Sequence, residues 1–163
     1  MEFEVVSIYG ITIMYPKGWW LYPNPKIFSP KEGSIAVRPQ DKEISVAIIW
    51  YDLKEEKDRS FEEYFQSIVS EFQRHFSDFQ LVKKEKKKIN GHECLFLHVK
   101  YKSKIRRFSR KKKAYERIHY IIKCNISEKF IIFYVTAPPE IFNQEKTTIE
   151  EIVKSFKCHN LNQ

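Results

Sequence analysis

Apolar residues alternate with polar ones along most of this chain, and only twice does the spacing lengthen to that of a helix. Residues 2–8 and 11–15 alternate about Gly10 and predict two short strands, the second stopped by Pro16, which has no N–H to give a ladder. A stretch punctuated by Pro23, Pro25 and Pro30 follows and ends at Gly33, with no strand assigned to it. Residues 34–38 then set Ile35 and Val37 on one face. Residues 43–51 do the same with Ile44, Val46, Ile48 and Trp50. The first helical period opens at Ser60, which with Glu63 makes a capping box; Phe61, Tyr64, Phe65, Ile68, Val69, Phe72 and Phe76 form its apolar stripe.

Four strand-like segments come next. Residues 79–89 meet 92–101 across Asn90-Gly91, a dipeptide suited to a two-residue turn with positive φ at both positions. That register sets Lys84 and Lys86 opposite Leu97 and Leu95. Either the lysine stems cover the leucines or a bulge shifts the pairing, and an irregularity is expected there. Residues 115–124 meet 129–137 across residues 125–128, and Pro138-Pro139 ends the last strand. Thr147 with Glu150 offers a second capping box before the stripe Ile149, Ile152, Val153 and Phe156. The order ββββ-α-ββββ-α, rich in antiparallel hairpins, predicts an α+β fold: an α/β/α sandwich about a central, mainly antiparallel sheet. Length and composition suit one domain over 1–163, with a basic hairpin arm near 102–113.

Several phrases in this order resemble the PsbP-like family. They are Ile13-Met14-Tyr15-Pro16-Lys17-Gly18-Trp19, Ser60-Phe61-Glu62-Glu63-Tyr64, Asn90-Gly91, and the ending Thr136-Ala137-Pro138 through Ile152-Val153-Lys154-Ser155-Phe156. The yeast Ran-binding nuclear import factor and small bacterial proteins of unassigned function share that fold. The resemblance implies an antiparallel sheet with helices on its faces and a module that acts by binding. It brings no catalytic residues with it.

Charge adds a second feature. Of a formal net charge of +8, residues 83–113 alone carry +12, from fourteen Lys or Arg against Glu85 and Glu93. The densest part is a single strand connection holding Lys102, Lys104, Arg106, Arg107, Arg110, Lys111, Lys112 and Lys113, with Phe108 among them. Like charges so close repel, which predicts an exposed arm that attracts carboxylate or phosphate surfaces. The nine residues just named are the candidate partner-binding site, with an acidic protein surface as the partner. RNA or DNA is the alternative, and a merely solvated loop is the plain reading.

Other chemistry is thinner. His92, Cys94 and His98 share one strand parity, but residues two apart on a strand are nearly 7 Å apart, so convergence on a metal would need help from another element such as His119. An ordinary mixed sheet face is the expectation, with no metal and no cofactor. There is no G-x-S-x-G, P-loop, G-x-G-x-x-G or H-E-x-x-H, so no enzyme is expected. Of the paired indoles, Trp19 is assigned to the core and Trp20 to a possible ligand contact. The three widely spaced cysteines, the lack of about 18 consecutive apolar residues and an acidic, alternating start point to the cytoplasm.

Overall fold

The two helical periods and the intervening hairpins determine which faces of the sheet are covered. In the computed structural model, which describes residues 1–56 and 59–160, they build a three-layer sandwich. The last three positions of the expected 1–163 unit lie outside the described residues. Strands β1 (Phe3–Ile8) and β2 (Ile11–Pro16) form a separate two-stranded hairpin. Strands β3 (Trp20–Phe28), β4 (Gly33–Arg38), β5 (Ser45–Asp52), β6 (Ser77–Ile89), β7 (His92–Lys104), β8 (Lys112–Cys124) and β9 (Lys129–Ala137) form one antiparallel sheet. Its order is β3-β4-β5-β9-β8-β7-β6.

Each face of this sheet has its own core. Helix α1 (Phe61–His75) lays Phe65, Ile68 and Phe72 on Leu97, Val99, Ile121, Phe130 and Ile132. On the opposite face, helix α3 (Lys146–Ser155) and the β1–β2 hairpin bury Ile149, Ile152, Ile11 and Ile13 with Ile48, Trp50, Ile122, Ile131 and Phe133. Burial on both sides explains why β9 reads Phe130-Ile131-Ile132-Phe133 without alternation: successive residues feed different cores. Trp50 is wholly buried and its indole N–H donates to the Ser29 carbonyl at 2.9 Å. Gly33 is required beneath it, because a Cβ there would meet the indole at 2.4 Å.

Most of the sequence expectations hold. Ser60 caps α1 as expected, its hydroxyl accepting from the Glu63 N–H while Glu63 accepts from the Ser60 N–H. The turn residues Asn90 and Gly91 have φ of 47° and 82°, and the hairpin puts Lys84 opposite Leu97 and Lys86 opposite Leu95. Lys84 resolves the conflict by snorkelling: its ammonium lies 3.9 Å over the Phe65 ring and 2.6 Å from Glu62, so its stem covers apolar surface. The irregularity is present, but farther along, between Leu81 and Lys83 and between Ser77 and Gln80.

Three details differ. The proline-punctuated stretch is a strand, β3, so five strands rather than four precede α1. It accommodates Pro23 and Pro25 because it is an edge strand whose pairing shifts between Pro23 and Phe28, where no ladder N–H is demanded. A short helix α2 (Pro139–Gln144) begins immediately after Pro138 and runs into α3. That junction starts α3 at Lys146 with Glu145 as its cap, so Thr147 lies inside the helix and makes no capping box. No helix among the described residues is long and apolar enough to cross a membrane.

Candidate functional site

All but one of the cations between residues 83 and 113 fall into two groups; the exception, Lys100 on β7, pairs with Glu116 at 3.2 Å. Lys83, Lys84, Lys86, Lys87 and Lys88 lie on β6, an edge strand of the large sheet. Lysine on an edge discourages pairing with another chain, and three of these ammoniums are held locally. Lys84 bonds Glu62, while Lys83 and Lys87 lie 3.3 and 3.0 Å from Glu85. These charges serve the fold.

The second group stands at one end of the sheet. Strands β7 and β8 stay paired out to Lys104 and Lys112, and the Ile105 N–H donates to the Lys111 carbonyl at 3.2 Å. The tip is closed by Ser109 N–H to the Arg106 carbonyl at 3.0 Å and by Lys111 N–H to Ser109 Oγ at 3.1 Å. The arm is thus a ribbon continuing the ladder. Of the expected site residues, Lys102 is tied back to Asp78 at 3.6 Å and Lys113 to Glu43. Among the described residues, Lys104, Arg106, Arg107, Arg110, Lys111 and Lys112 make no ion pair. Phe108 is 93% exposed, with the Arg107 guanidinium 5.7 Å from its ring.

At the root of the arm lies a groove that no motif or charge run announces. Arg74, His75, Phe76 and Ser77 at the end of α1 face Lys102, Ser103, Lys104 and Lys112 across a hollow of about 330 Å³. The Ser77 hydroxyl is buried beside it, with no hydrogen-bond partner among the described residues. Basic groups from a helix end and two strands therefore converge on one hollow. The only hint in the sequence was Arg74-His75 in the last turn of α1, where a cation complements the helix dipole.

A second hollow, open and about 720 Å³ in volume, lies at the same end of the sheet between Arg38, Lys42, Glu43, Tyr115 and Thr136. Trp19 packs, partly buried, against the core, and Trp20 is 53% exposed. Trp20 does not itself line this hollow. It stacks on Tyr22, which does, with ring centroids 6.4 Å apart, and Arg38 lies 4.3 Å over the Tyr22 ring. Partial burial pushes Glu43 up, but hydrogen bonds from Lys113 and Tyr115 outweigh it and hold the carboxyl below its ordinary value. Burial, with help from Glu43, pushes the Tyr115 phenol up to about 12.

The histidines and cysteine considered together in the sequence do not converge. Cys94 is buried in the α3-side core, and His98 lies 3.3 Å from Glu116. His119 sits on the opposite face, edge-on to Phe72 at 5.9 Å. It is buried, and that burial lowers its pKa to about 3. His92 instead faces His159, with ring centroids 5.2 Å apart.

Comparison with known proteins agrees with this architecture. No curated protein matches the chain by sequence. Among solved structures, the cyanobacterial PsbP protein CyanoP of Synechocystis superposes with a TM-score of 0.68 at 14% identity, over 95% of this chain and 91% of its own. The Ran-binding protein Mog1p of Saccharomyces cerevisiae gives 0.57 at 11%, over 96% and 95%. LpqN of Mycobacterium tuberculosis, described as involved in cell envelope biogenesis, gives 0.57 at 14%, over 98% and 91%. At such identities the likeness is one of fold, and it bears out the PsbP-like resemblance of the sequence phrases. The DcrB family model matches residues 35–155, from β4 through the last turn of α3, and the chain belongs to the DcrB family.

Proposed function

We propose that this protein is a non-catalytic binding module that engages an acidic protein surface through its basic arm and the groove at the arm's root. The observation that carries the reading is the groove itself. Arg74, Lys102, Lys104 and Lys112 line one hollow, an arrangement that holds a carboxylate by charge and by hydrogen bonds from its cations. The unpaired cations of the arm extend the field outward and speed encounter, and Phe108 supplies an apolar anchor. The Ran-binding activity named for Mog1p belongs to a protein of the same fold and is compatible with a protein partner.

A protein surface, on which carboxylates can be interspersed with other groups, suits this end better than an unbroken nucleic acid track because the charge here is mixed. Asp78 beside Lys102, and Glu43 beside Lys113, would repel a continuous line of phosphates. A non-catalytic role is supported by the state of Glu43 in the larger hollow. Its carboxylate is committed to Lys113 and Tyr115, which suits neither a general base nor an acid near neutral pH.

The test is affinity capture from the native cell with and without nuclease, repeated with Arg106→Glu/Arg107→Glu/Arg110→Glu. Capture of an acidic protein that survives nuclease and is lost in the triple variant is the expected result. Capture unaffected by the triple variant overturns the assignment. Nuclease-sensitive capture, with log K falling against log[salt] at a slope near −5 for about six phosphate contacts, selects nucleic acid instead.

A further inference from the structure

The end of the sheet opposite the arm gathers four side chains that can serve as metal ligands. Cys124 closes β8 and His92 opens β7 immediately after the Asn90–Gly91 turn. Cys158 and His159 lie in the segment after α3. That segment is fixed in place: Lys157 and Thr12 exchange backbone hydrogen bonds at 2.9 Å in each direction, and the Asn90 amide donates to the Phe156 carbonyl. The ligand atoms of His92, Cys124, Cys158 and His159 all fall within 4.8 Å of one another.

The dimensions suit a particular class of ion. With Zn–S near 2.3 Å and Zn–N near 2.0–2.1 Å, a tetrahedral site has sulfur-to-nitrogen edges of about 3.5 Å. His159 Nδ1 lies 3.5 Å from Cys124 Sγ and 3.4 Å from Cys158 Sγ. Both sulfurs are enclosed, at 0% and 2% exposure for their residues. The Ser127 N–H points at Cys124 Sγ from 3.5 Å, an N–H···S contact that supports a ligating thiolate. Cys94, only two residues from His92, belongs to the apolar core and is not in the group.

We propose that His92, Cys124, Cys158 and His159 form a closed, tetrahedral Cys₂His₂ site for Zn²⁺ or a similar borderline-soft divalent cation, and that the ion fastens the C-terminal segment to the sheet. Two thiolates balance the charge of the ion, and their two protons pass to solvent on binding. With four protein ligands and no open position, the site is structural rather than hydrolytic. Its ligands come from the β6–β7 turn, the β8 end and the segment after α3, with Gly10 of the β1–β2 turn packed against the His159 backbone. One ion would join parts of the chain that are distant in sequence.

The experiment is titration of the reduced, metal-stripped full chain with Co²⁺, followed by Zn²⁺. The expected result is one equivalent of Co²⁺ giving the intense visible bands of a tetrahedral complex and thiolate charge transfer. Zn²⁺ should abolish both and raise the melting temperature. Cys124→Ser/Cys158→Ser should lose the bands, Cys94→Ser should keep them, and His159→Ala, at a half-buried position that spares the fold, should weaken binding by about tenfold or more. Folded wild-type protein without tetrahedral bands overturns the proposal, as do bands unchanged by the double substitution. So does a Cys124–Cys158 disulfide whose reduction yields no Co²⁺ site.

Discussion

The β7–β8 ladder has two ends, about 40 Å apart, and they treat polar groups in opposite ways. At the arm end, cations project into solvent beyond the last core residue, and Phe108 is left almost wholly exposed. At the thiol end, polar atoms are enclosed and the chain segments around them are tied together by Asn90, Thr12 and Lys157. Exposed charge costs the fold little and acts over a distance. Enclosed thiols and imidazoles must be satisfied by one another or by a ligand. On the proposed reading, encounter belongs to one end and consolidation to the other.

The largest test of this contrast compares two phenylalanines. Phe156 is 1% exposed at the thiol end and stacks on Phe133 with centroids 5.4 Å apart. Phe156→Ala should cost about 3–5 kcal/mol in denaturant unfolding. Phe108→Ala should stay within about 0.5 kcal/mol of wild type while weakening partner capture. If Phe108→Ala also destabilises the fold by more than about 1 kcal/mol, the arm is part of the structural core and the contrast fails.

A pH effect of intermediate size comes from between the two ends. Among the described residues His119 finds no partner at Nδ1, and burial lowers its pKa from 6.5 to about 3. The unfolded chain therefore binds a proton that the folded chain refuses. The stability this provides is complete above pH 6.5 and falls as the pH drops toward 3. Between pH 7 and pH 5 the loss should be about 2 kcal/mol, and His119→Leu should flatten that part of the profile in urea unfolding. An unchanged profile would mean that His119 is not the group responsible.

How legible each end was depends on how local its causes are. The capping box at Ser60, the turn at Asn90-Gly91 and the alternation in β5 each rest on a few neighbouring residues, and each was readable. Strand β3 was hidden because its strand character depends on position at the sheet edge, which excuses Pro23 and Pro25 from the usual penalty. Thr147–Glu150 had the right spacing for a cap, but α2 supplies the start of α3 and moves it upstream. The basic arm was visible as a run of charge. The groove beneath it was not, since Arg74 and Lys104 meet only when α1 crosses to place β6 beside β7. Strand parity grouped His92 with Cys94 and His98, whereas its actual neighbours come from a different strand end and from beyond α3. Nothing in the spacing of Cys124, Cys158 and His159 along the chain announces that meeting.

A smaller stability effect separates backbone from side chain at the thiol end. Asn90→Ala loses the amide bond to the Phe156 carbonyl and puts a Cβ without compensation at φ 47°, so it should cost about 1–2 kcal/mol. Asn90→Gly keeps the backbone at ease and should recover part of that loss. Equal losses in the two variants would place the whole effect in the Phe156 contact.

The smallest expected effect has the opposite sign, and for that reason it discriminates well. Lys104, Arg106, Arg107, Arg110, Lys111 and Lys112 repel one another without a countercharge among the described residues. Arg106→Gln/Arg107→Gln/Arg110→Gln should therefore raise the melting temperature slightly at low salt. The gain should vanish at high salt, where screening shortens to a few ångströms. Capture of the acidic partner should fall in the same variant. A residue set that improves the fold when neutralised but impairs binding is one kept for its partner, as the arm assignment requires. Neutralisation that destabilises the fold at every salt concentration would instead mean that the arm charges are paired within the molecule, and that the two ends differ less than their surroundings suggest.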